Sequence, residues 1–226
     1  MTVAGLGIVT IGQSPRTDVQ PILEENLSER TFVQKGALDG FTKDFIEKHL
    51  APSGPSCEYV LTSRLKDGNH VSMDRRKLQP FVQKKIDEFE REGVEYILLL
   101  CTGVFKNLKT NTAQIIEPDH VIPPIVKLMI GNKRLGVIVP LKEQITNLDD
   151  KFTCAGLEPI FSFASPYEKN REAFHQAGLE LKEKTDFVLM DCMGYTEEMR
   201  QWIAEDTEKP TILSNALIVK VLSVFI

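Results

Sequence analysis

Short hydrophobic runs alternate with longer amphipathic segments along this chain of 226 residues. The runs are rich in leucine and β-branched residues and predict strands at residues 6–11, 31–34, 58–62, 96–101, 135–139, 160–163, 187–192 and 211–213. Strands that alternate with helices are typical of α/β proteins whose sheets are mostly parallel. We therefore predict an α/β fold.

The segment at residues 74–92 has the clearest helical pattern. Its apolar residues recur at steps of three and four: Leu78, Phe81, Val82, Ile86 and Phe89. Ser72 or Asp74 is suited to cap the start of this helix, and Gly93 is suited to end it. A shorter helix is predicted at residues 41–49.

The chain contains an internal near-repeat. Residues 95–103 align without a gap against residues 186–194, and both segments run from an acid and an aromatic residue to cysteine, one further residue and glycine. Gly7 and Gly136 open similar strands at the start of each copy. The first copy is longer, and the extra residues are expected in the helix at 41–49 and in the strand that follows it. We predict two pseudo-symmetric lobes with mostly parallel sheets and an active-site cleft between them.

Composition excludes several classes of protein. The chain is 42% hydrophobic and 26% charged, as is usual for soluble folded proteins, and its net charge of -5 disfavours nucleic acid as a partner. No apolar run approaches the length of a membrane span, and no basic flank marks a signal peptide, so we expect a cytoplasmic protein with no membrane partner.

Neither a cofactor nor a metal is expected. The glycines at positions 5 and 7 lie at the start of the first strand, whereas those of a dinucleotide-binding fingerprint follow it. The four histidines share no spacing typical of a metal site, and no two cysteines form a C-x-x-C pair.

The two repeated cysteines, Cys101 and Cys192, are each expected to end a buried strand. Ligands of parallel α/β sheets bind beyond the carboxyl ends of the strands, so both thiols are candidate catalytic groups. Gly103 and Gly194 would let the chain turn sharply and aim backbone N–H groups at an anion, and the start of a following helix would favour the thiolate. Because free cysteine is common in protein cores, a purely structural role is the alternative.

The turn after the first strand carries several hydrogen-bond donors. Thr10, Gly12, Gln13 and Ser14 offer hydroxyl, amide and backbone N–H groups within five residues. Such a turn suits the carboxylate of a substrate. The alternative is an ordinary connection in which Ser14 caps a helix whose first residue is Pro15.

Several segments, in this order along the chain, resemble the AroM family. They are the stretch at residues 70–77, Ile-Pro-Pro at 122–124, Gly-Val-Ile-Val-Pro at 136–140, Asp-Cys-Met-Gly at 191–194 and Leu-Ser-Asn at 213–215. AroM proteins in turn look like members of the aspartate/glutamate/hydantoin racemase superfamily. That resemblance implies a first lobe of residues 1–118 plus a returning C-terminal helix at 214–226, and a second lobe of residues 119–213.

The resemblance also implies an active site with one cysteine from each lobe. Cys101 with Thr102 and Gly103, and Cys192 with Met193 and Gly194, occupy the positions of the two superfamily motifs. The leading hypothesis is a cofactor-independent racemase or epimerase, an isomerase that acts at the carbon next to a carboxylate or related carbonyl of a small substrate. A homodimer is the expected oligomeric state. The alternatives are an isomerase or decarboxylase with a single reactive cysteine, and a non-catalytic protein that binds small anions.

Overall fold

The computed structural model describes residues 5–27, 31–54, 57–146, 150–168 and 170–226. The chain forms two compact units, Met1–Pro118 and Asp119–Ile226. The elements of the first unit are β1 (Leu6–Thr10), α1 (Gln20–Asn26), β2 (Phe32–Gly36), α2 (Lys43–His49), β3 (Val60–Arg64), β4 (His70–Asp74), α3 (Arg75–Arg91), β5 (Tyr96–Leu100) and β6 (Gln114–Ile116). Those that follow are α4 (Pro118–Ile130), β7 (Leu135–Val139), β8 (Ile160–Phe163), α5 (Arg171–Lys182), β9 (Phe187–Met190), α6 (Glu197–Thr207), β10 (Thr211–Leu213) and α7 (Ser214–Phe225).

The first unit is built on a four-stranded parallel sheet in the order β2-β1-β5-β6. All five residues of β1 are buried, as expected for a central strand that is covered on both faces. The register pairs Thr10 with Leu100, so the segments that follow β1 and β5 leave the sheet side by side. Helix α3 packs closely on β1, because a Cβ atom at Gly7 would lie only 2.9 Å from the ring of Phe89.

The second unit repeats this arrangement. Its parallel sheet has the order β10-β9-β7-β8. Counted from the opposite edge, this order matches that of the first sheet, so β7 is equivalent to β1 and β9 is equivalent to β5. Gly136 in β7 again makes room for a helix, since a Cβ atom there would lie 3.1 Å from Leu181 of α5. The predicted α/β fold with two pseudo-symmetric, parallel-sheet lobes is confirmed.

An antiparallel hairpin of β3 and β4 follows α2 in the first unit. Within the described residues of the second unit, a single helix, α5, connects the equivalent strands β8 and β9. The extra length of the first copy therefore lies in α2 and this hairpin. The sequence pattern did not predict β4 or the three-residue strand β6.

The predicted amphipathic helix is α3. Asp74 caps it by accepting a hydrogen bond from the backbone N–H of Arg76 at 2.8 Å, and Gly93 follows its end with a φ of 79°. No helix among the described residues is long and apolar enough to cross a membrane.

The chain divides into its two units after Pro118, and the lobe boundaries that the resemblance implies stay a prediction. Helix α7 groups with the second unit, because it directly follows β10 and because Ser214 and Asn215 at its start bond to the turn after β9. The return of this helix to the first lobe stays a prediction.

Candidate active site

The turn after β5 carries the first candidate thiol. Cys101 is 6% exposed, and its Sγ accepts a hydrogen bond from the backbone N–H of Gly103 at 3.2 Å. Thr102 between them is buried. A Cβ atom at Gly103 would lie 2.4 Å from Leu61 Cδ2, so glycine allows β3 to pack directly against this turn. No helix follows Cys101 directly, contrary to the sequence-based expectation, and the chain runs on to the short strand β6.

The turn after β9 carries the second thiol in a similar arrangement. Cys192 is 8% exposed, and its Sγ accepts a hydrogen bond from the backbone N–H of Gly194 at 3.4 Å. The hydroxyl of Tyr167 lies 3.9 Å from the same sulfur. A Cβ atom at Gly194 would lie 2.8 Å from that hydroxyl, so glycine makes room for the tyrosine. Helix α6 begins shortly afterwards, capped by Thr196.

The two turns share one hydrogen-bonding pattern. In each, glycine two residues after the cysteine points its backbone N–H at the cysteine sulfur. Sequence reasoning expected these N–H groups to face a bound anion, whereas in the structure they face the thiol. Each sulfur therefore has one directed backbone donor.

Met193 and its neighbours are held by the start of α7. The side-chain N–H₂ of Asn215, itself 1% exposed, donates to the carbonyl oxygens of Met193 at 3.1 Å and Tyr195 at 2.8 Å. Tyr195 in turn donates its hydroxyl to the carbonyl of Ala164 at 2.8 Å. Burial raises the pKa of this phenol well above its ordinary value, so Tyr195 serves as a neutral donor.

A buried ion pair lies immediately before Cys192. Lys151 Nζ contacts one carboxylate oxygen of Asp191 at 2.5 Å, and the hydroxyl of Ser214 donates to the other at 3.2 Å. Lys151 was not singled out in the sequence, and its partner lies 40 positions away. The family resemblance did include the segments that contain Asp191 and Ser214, whereas Lys151 had no sequence signal.

The turn after β1 already holds a carboxylate, and that carboxylate belongs to this chain. The backbone N–H and the hydroxyl of Ser14 both donate to Asp39, at 2.8 and 2.6 Å. The backbone N–H of Gly36 is a third donor, at 2.8 Å. Helix α1 begins at Gln20, so Ser14 and Pro15 do not start a helix.

The other predicted ligands in this turn also have partners within the first unit. Gly12 donates its backbone N–H to the hydroxyl of Thr10 at 3.3 Å. The side chain of Gln13 donates to the carbonyl of Phe41 and accepts from the backbone N–H of Lys66, both at 2.9 Å. Substrate binding by these four residues, Ser14 included, stays a prediction.

One group of side chains within the described chain has the composition of a metal site. Glu117, Asp119 and His120 each place a ligand atom within 4.8 Å of the others. Burial raises the pKa of Asp119 above its ordinary value, and the neighbouring charge of Asp191 adds to this effect. The positive charge of Lys151 acts on the same carboxyl group and disfavours a cation beside it.

Comparisons with known proteins identify a sequence family and a fold. The family model described as AroM protein matches residues 6–226, and no curated protein matches the chain. The glutamate racemase from Thermus thermophilus in complex with β-chloro-D-alanine has a TM-score of 0.65 and 11% identity, covering 99% of this chain and 80% of that one. The maleate isomerase Iso from Pseudomonas putida S16 has a TM-score of 0.61 and 12% identity, covering 98% of this chain and 93% of that one. Unliganded arylmalonate decarboxylase has a TM-score of 0.56 and 11% identity, covering 97% of this chain and 90% of that one. At these identities the likeness establishes the fold.

Proposed function

The chain belongs to the AroM family, and from that premise we propose that it is a cofactor-independent isomerase of the racemase or epimerase type. Its substrate is a small acid, and the reacting carbon is the one next to a carboxylate or related carbonyl group. Cys101 and Cys192 are the proposed catalytic residues. The fold supports this class, since solved structures that share it include racemases and an isomerase.

The main support for the proposal is that the same cysteine-containing turn occurs twice, at residues 101–103 and 192–194. Cys101 and Cys192 follow equivalent strands of two equivalent sheets, and each sulfur accepts a backbone N–H from a glycine two residues later. A structural cysteine needs only apolar surroundings and no directed donor. Two sulfurs with the same directed donor, both at the carboxyl ends of parallel strands, favour a chemical role.

The proposed reaction moves one proton off the substrate and another proton on. One cysteine, as thiolate, takes the proton from the reacting carbon, and the electron pair of that C–H bond moves into the adjacent carbonyl group. The other cysteine, as thiol, gives its proton to the opposite face of the same carbon. The two sulfurs exchange protonation states, so the enzyme is then ready for the opposite enantiomer. The N–H groups of Gly103 and Gly194 stabilise whichever sulfur is negative.

A second candidate is a decarboxylase or isomerase with one reactive thiol, and the surroundings of the two cysteines favour it. The hydroxyl of Tyr167 lies 3.9 Å from the sulfur of Cys192, and the buried Lys151–Asp191 pair directly precedes that cysteine. Cys101 and Cys192 each lie within the apolar cluster of their own unit. If one thiol acts alone, the neighbouring tyrosine hydroxyl assigns the reaction to Cys192.

Solvent hydrogen exchange separates these functions. The chain would be incubated in D₂O with a panel of α-substituted carboxylic acids, amino acids and hydantoins, and deuterium at the reacting carbon would be followed by NMR together with optical rotation. A racemase introduces deuterium and loses stereochemistry, whereas a decarboxylase consumes substrate and releases CO₂. A protein that only binds anions raises its melting temperature with the ligand and does neither.

Serine variants assign the thiols. In the two-thiol reaction, Cys101→Ser and Cys192→Ser each abolish racemisation, and each variant retains exchange of one enantiomer at most. In the single-thiol reaction, Cys192→Ser is inactive and Cys101→Ser keeps most of the activity. The matched controls are Cys57→Ser and Cys154→Ser, which are expected to keep full activity in both cases.

Alkylation tests the thiols without a known substrate. Exposure alone predicts that iodoacetamide labels the exposed Cys154 fastest, while burial raises the pKa of Cys57 and slows its reaction. Catalytic thiolates at Cys101 and Cys192 would instead react at neutral pH and be protected by a substrate-like acid. If both label more slowly than Cys57 and Cys154 and no binding acid changes their rates, the catalytic role is excluded.

A further inference from the structure

A recess of about 270 Å³ lies in the first unit, between the turn after β1 and the tip of the β3–β4 hairpin. Its lining includes Gln13, Arg16, Asp18, Arg64, Lys66 and Gly68. The cysteines and their neighbouring glycines are not among the lining residues. The recess therefore shares Gln13 with the predicted substrate turn and none of its lining with the two cysteine turns.

Directed contacts fix the two walls of the recess to each other. The side chain of Gln13 accepts the backbone N–H of Lys66 at 2.9 Å, which ties the turn to the hairpin tip. A Cβ atom at Gly12 would lie 2.8 Å from the carbonyl oxygen of Arg64, so the two backbones are in close contact there. The charged side chains of the hairpin are thus held at a defined position beside the turn.

The acidic side chains near the recess already have hydrogen-bond partners within the chain. Arg16, whose side chain is 3% exposed, binds Asp18 through two hydrogen bonds of 2.8 and 2.6 Å. Burial by itself raises the pKa of Asp18, but Arg16 outweighs burial and holds that pKa below its ordinary value, with the charge of Arg64 adding to this effect. Asp67 accepts hydrogen bonds from the backbone and side chain of Asn69, at 2.9 and 2.8 Å.

Within the described residues, two cations of the recess have no direct contact with an anion, and Arg64 acts on Asp18 through its charge alone. Across the described residues, neither the Arg64 guanidinium nor the Lys66 ammonium has a hydrogen-bond or ion-pair partner. Arg64 is half-buried in the wall, and Lys66 is exposed at the rim. A guanidinium fork and an ammonium group that border the same recess form the donor set that binds carboxylates and phosphates.

We propose that this recess binds a small anion with two negative charges, either a dicarboxylate or a phosphate group. Arg64 binds the anion through its two parallel N–H groups, and Lys66 adds a point charge at the rim. The site depends on the hairpin and goes beyond the proposed reaction, because it does not use the thiols. It belongs to the first unit alone.

Titration calorimetry at low ionic strength tests the proposal, since salt screens exposed charges. The probes are inorganic phosphate, succinate and, as a singly charged comparison, acetate. Arg64→Gln and Lys66→Gln are each expected to weaken dianion binding by about tenfold or more, as the loss of a charged hydrogen bond implies. Phosphate binding alone would identify a phosphate site, and succinate binding alone would identify a dicarboxylate site.

The matched controls replace one arginine and one lysine of α3, in the same unit, by glutamine. Arg91→Gln and Lys84→Gln remove exposed cations outside the recess and are expected to leave dianion affinity unchanged. The double variant Cys101→Ser/Cys192→Ser is expected to bind the anion normally, which separates this site from the thiol chemistry. Lys66→Gln at the exposed rim keeps the test valid if Arg64→Gln fails to fold. The proposal is overturned if no dianion binds, if acetate binds equally well, or if the recess variants bind as tightly as the controls.

Discussion

Lys151 and Asp191 form an ion pair that is closed off from solvent, with an Nζ–Oδ2 distance of 2.5 Å and side chains that are 0% and 3% exposed. Asp191 directly follows β9 and is the residue before Cys192. The ion pair therefore anchors the chain immediately before the thiol. A buried charge is stable only when it is paired, so each partner depends on the other.

Replacement of Lys151 by methionine is expected to destabilise the protein by about 3–5 kcal/mol, because it leaves the Asp191 carboxylate buried without its cation. Urea unfolding followed by circular dichroism measures the change. Lys184→Met, at an exposed position of the same unit, is the control and is expected to change stability by less than about 0.5 kcal/mol. The double variant Lys151→Met/Asp191→Leu is expected to recover much of the loss. A Lys151→Met protein as stable as the control would contradict the ion pair.

Gly194→Ala is expected to cost about 1–3 kcal/mol of stability through overpacking, because its Cβ atom would lie 2.8 Å from the hydroxyl of Tyr167. Thermal and urea unfolding would measure the loss. In a Tyr167→Leu background the same change should cost much less, since the clashing ring is gone. Gly5→Ala is the control, because the atom nearest to its new Cβ would be 3.9 Å away. Equal costs in the two backgrounds would show that Tyr167 does not occupy this space.

Ser14→Ala is expected to destabilise the first unit by about 1.5–3 kcal/mol, the value of a hydrogen bond to a charged group, because it removes the 2.6 Å bond to Asp39. In an Asp39→Ala background the substitution should have little further effect. Ser223→Ala, at an exposed position of α7, is the control. If Ser14→Ala weakens the binding of an acid without lowering stability, the turn serves a ligand and not Asp39.

Glu90 links α3 to the segment before β6 in a pH-dependent way. Hydrogen bonds from the backbone N–H groups of Thr112 and Ala113 are the main causes that lower its pKa from 4.5 to about 2. Because the folded pKa is depressed, the contribution of Glu90 is complete above pH 4.5 and is lost as the pH falls towards 2. In urea unfolding, the drop in pH from 6 to 3 should lower the free energy of unfolding less in Glu90→Gln than in the wild type. In Lys84→Gln, which leaves these bonds intact, the free energy of unfolding should fall as much as in the wild type.

Local pattern in the sequence was enough to predict the fold class and the place of the thiols. Strands and α3 follow from the period of apolar residues, which depends on near neighbours alone. The repeated segment predicted that Cys101 and Cys192 would take equivalent positions, and the two sheets place them so. The short strand β6 was missed because it begins with the exposed Gln114 and buries only Ile116, so it has no hydrophobic run.

Only the tertiary structure decided which polar groups meet. The donors of Ser14 were visible in the sequence, but their partner Asp39 lies 25 positions away and reaches them through the packing of β2 beside β1. Lys151 and Asp191 are separated by 40 positions, and an isolated lysine gives no local sign of a buried partner. Periodicity records which face of an element is apolar, whereas hydrogen bonds and ion pairs between distant residues depend on how the elements pack. The sequence therefore determined the strands, the helices and the two thiol turns, and the packing of those elements decided the partners of the charged and hydroxyl groups around them.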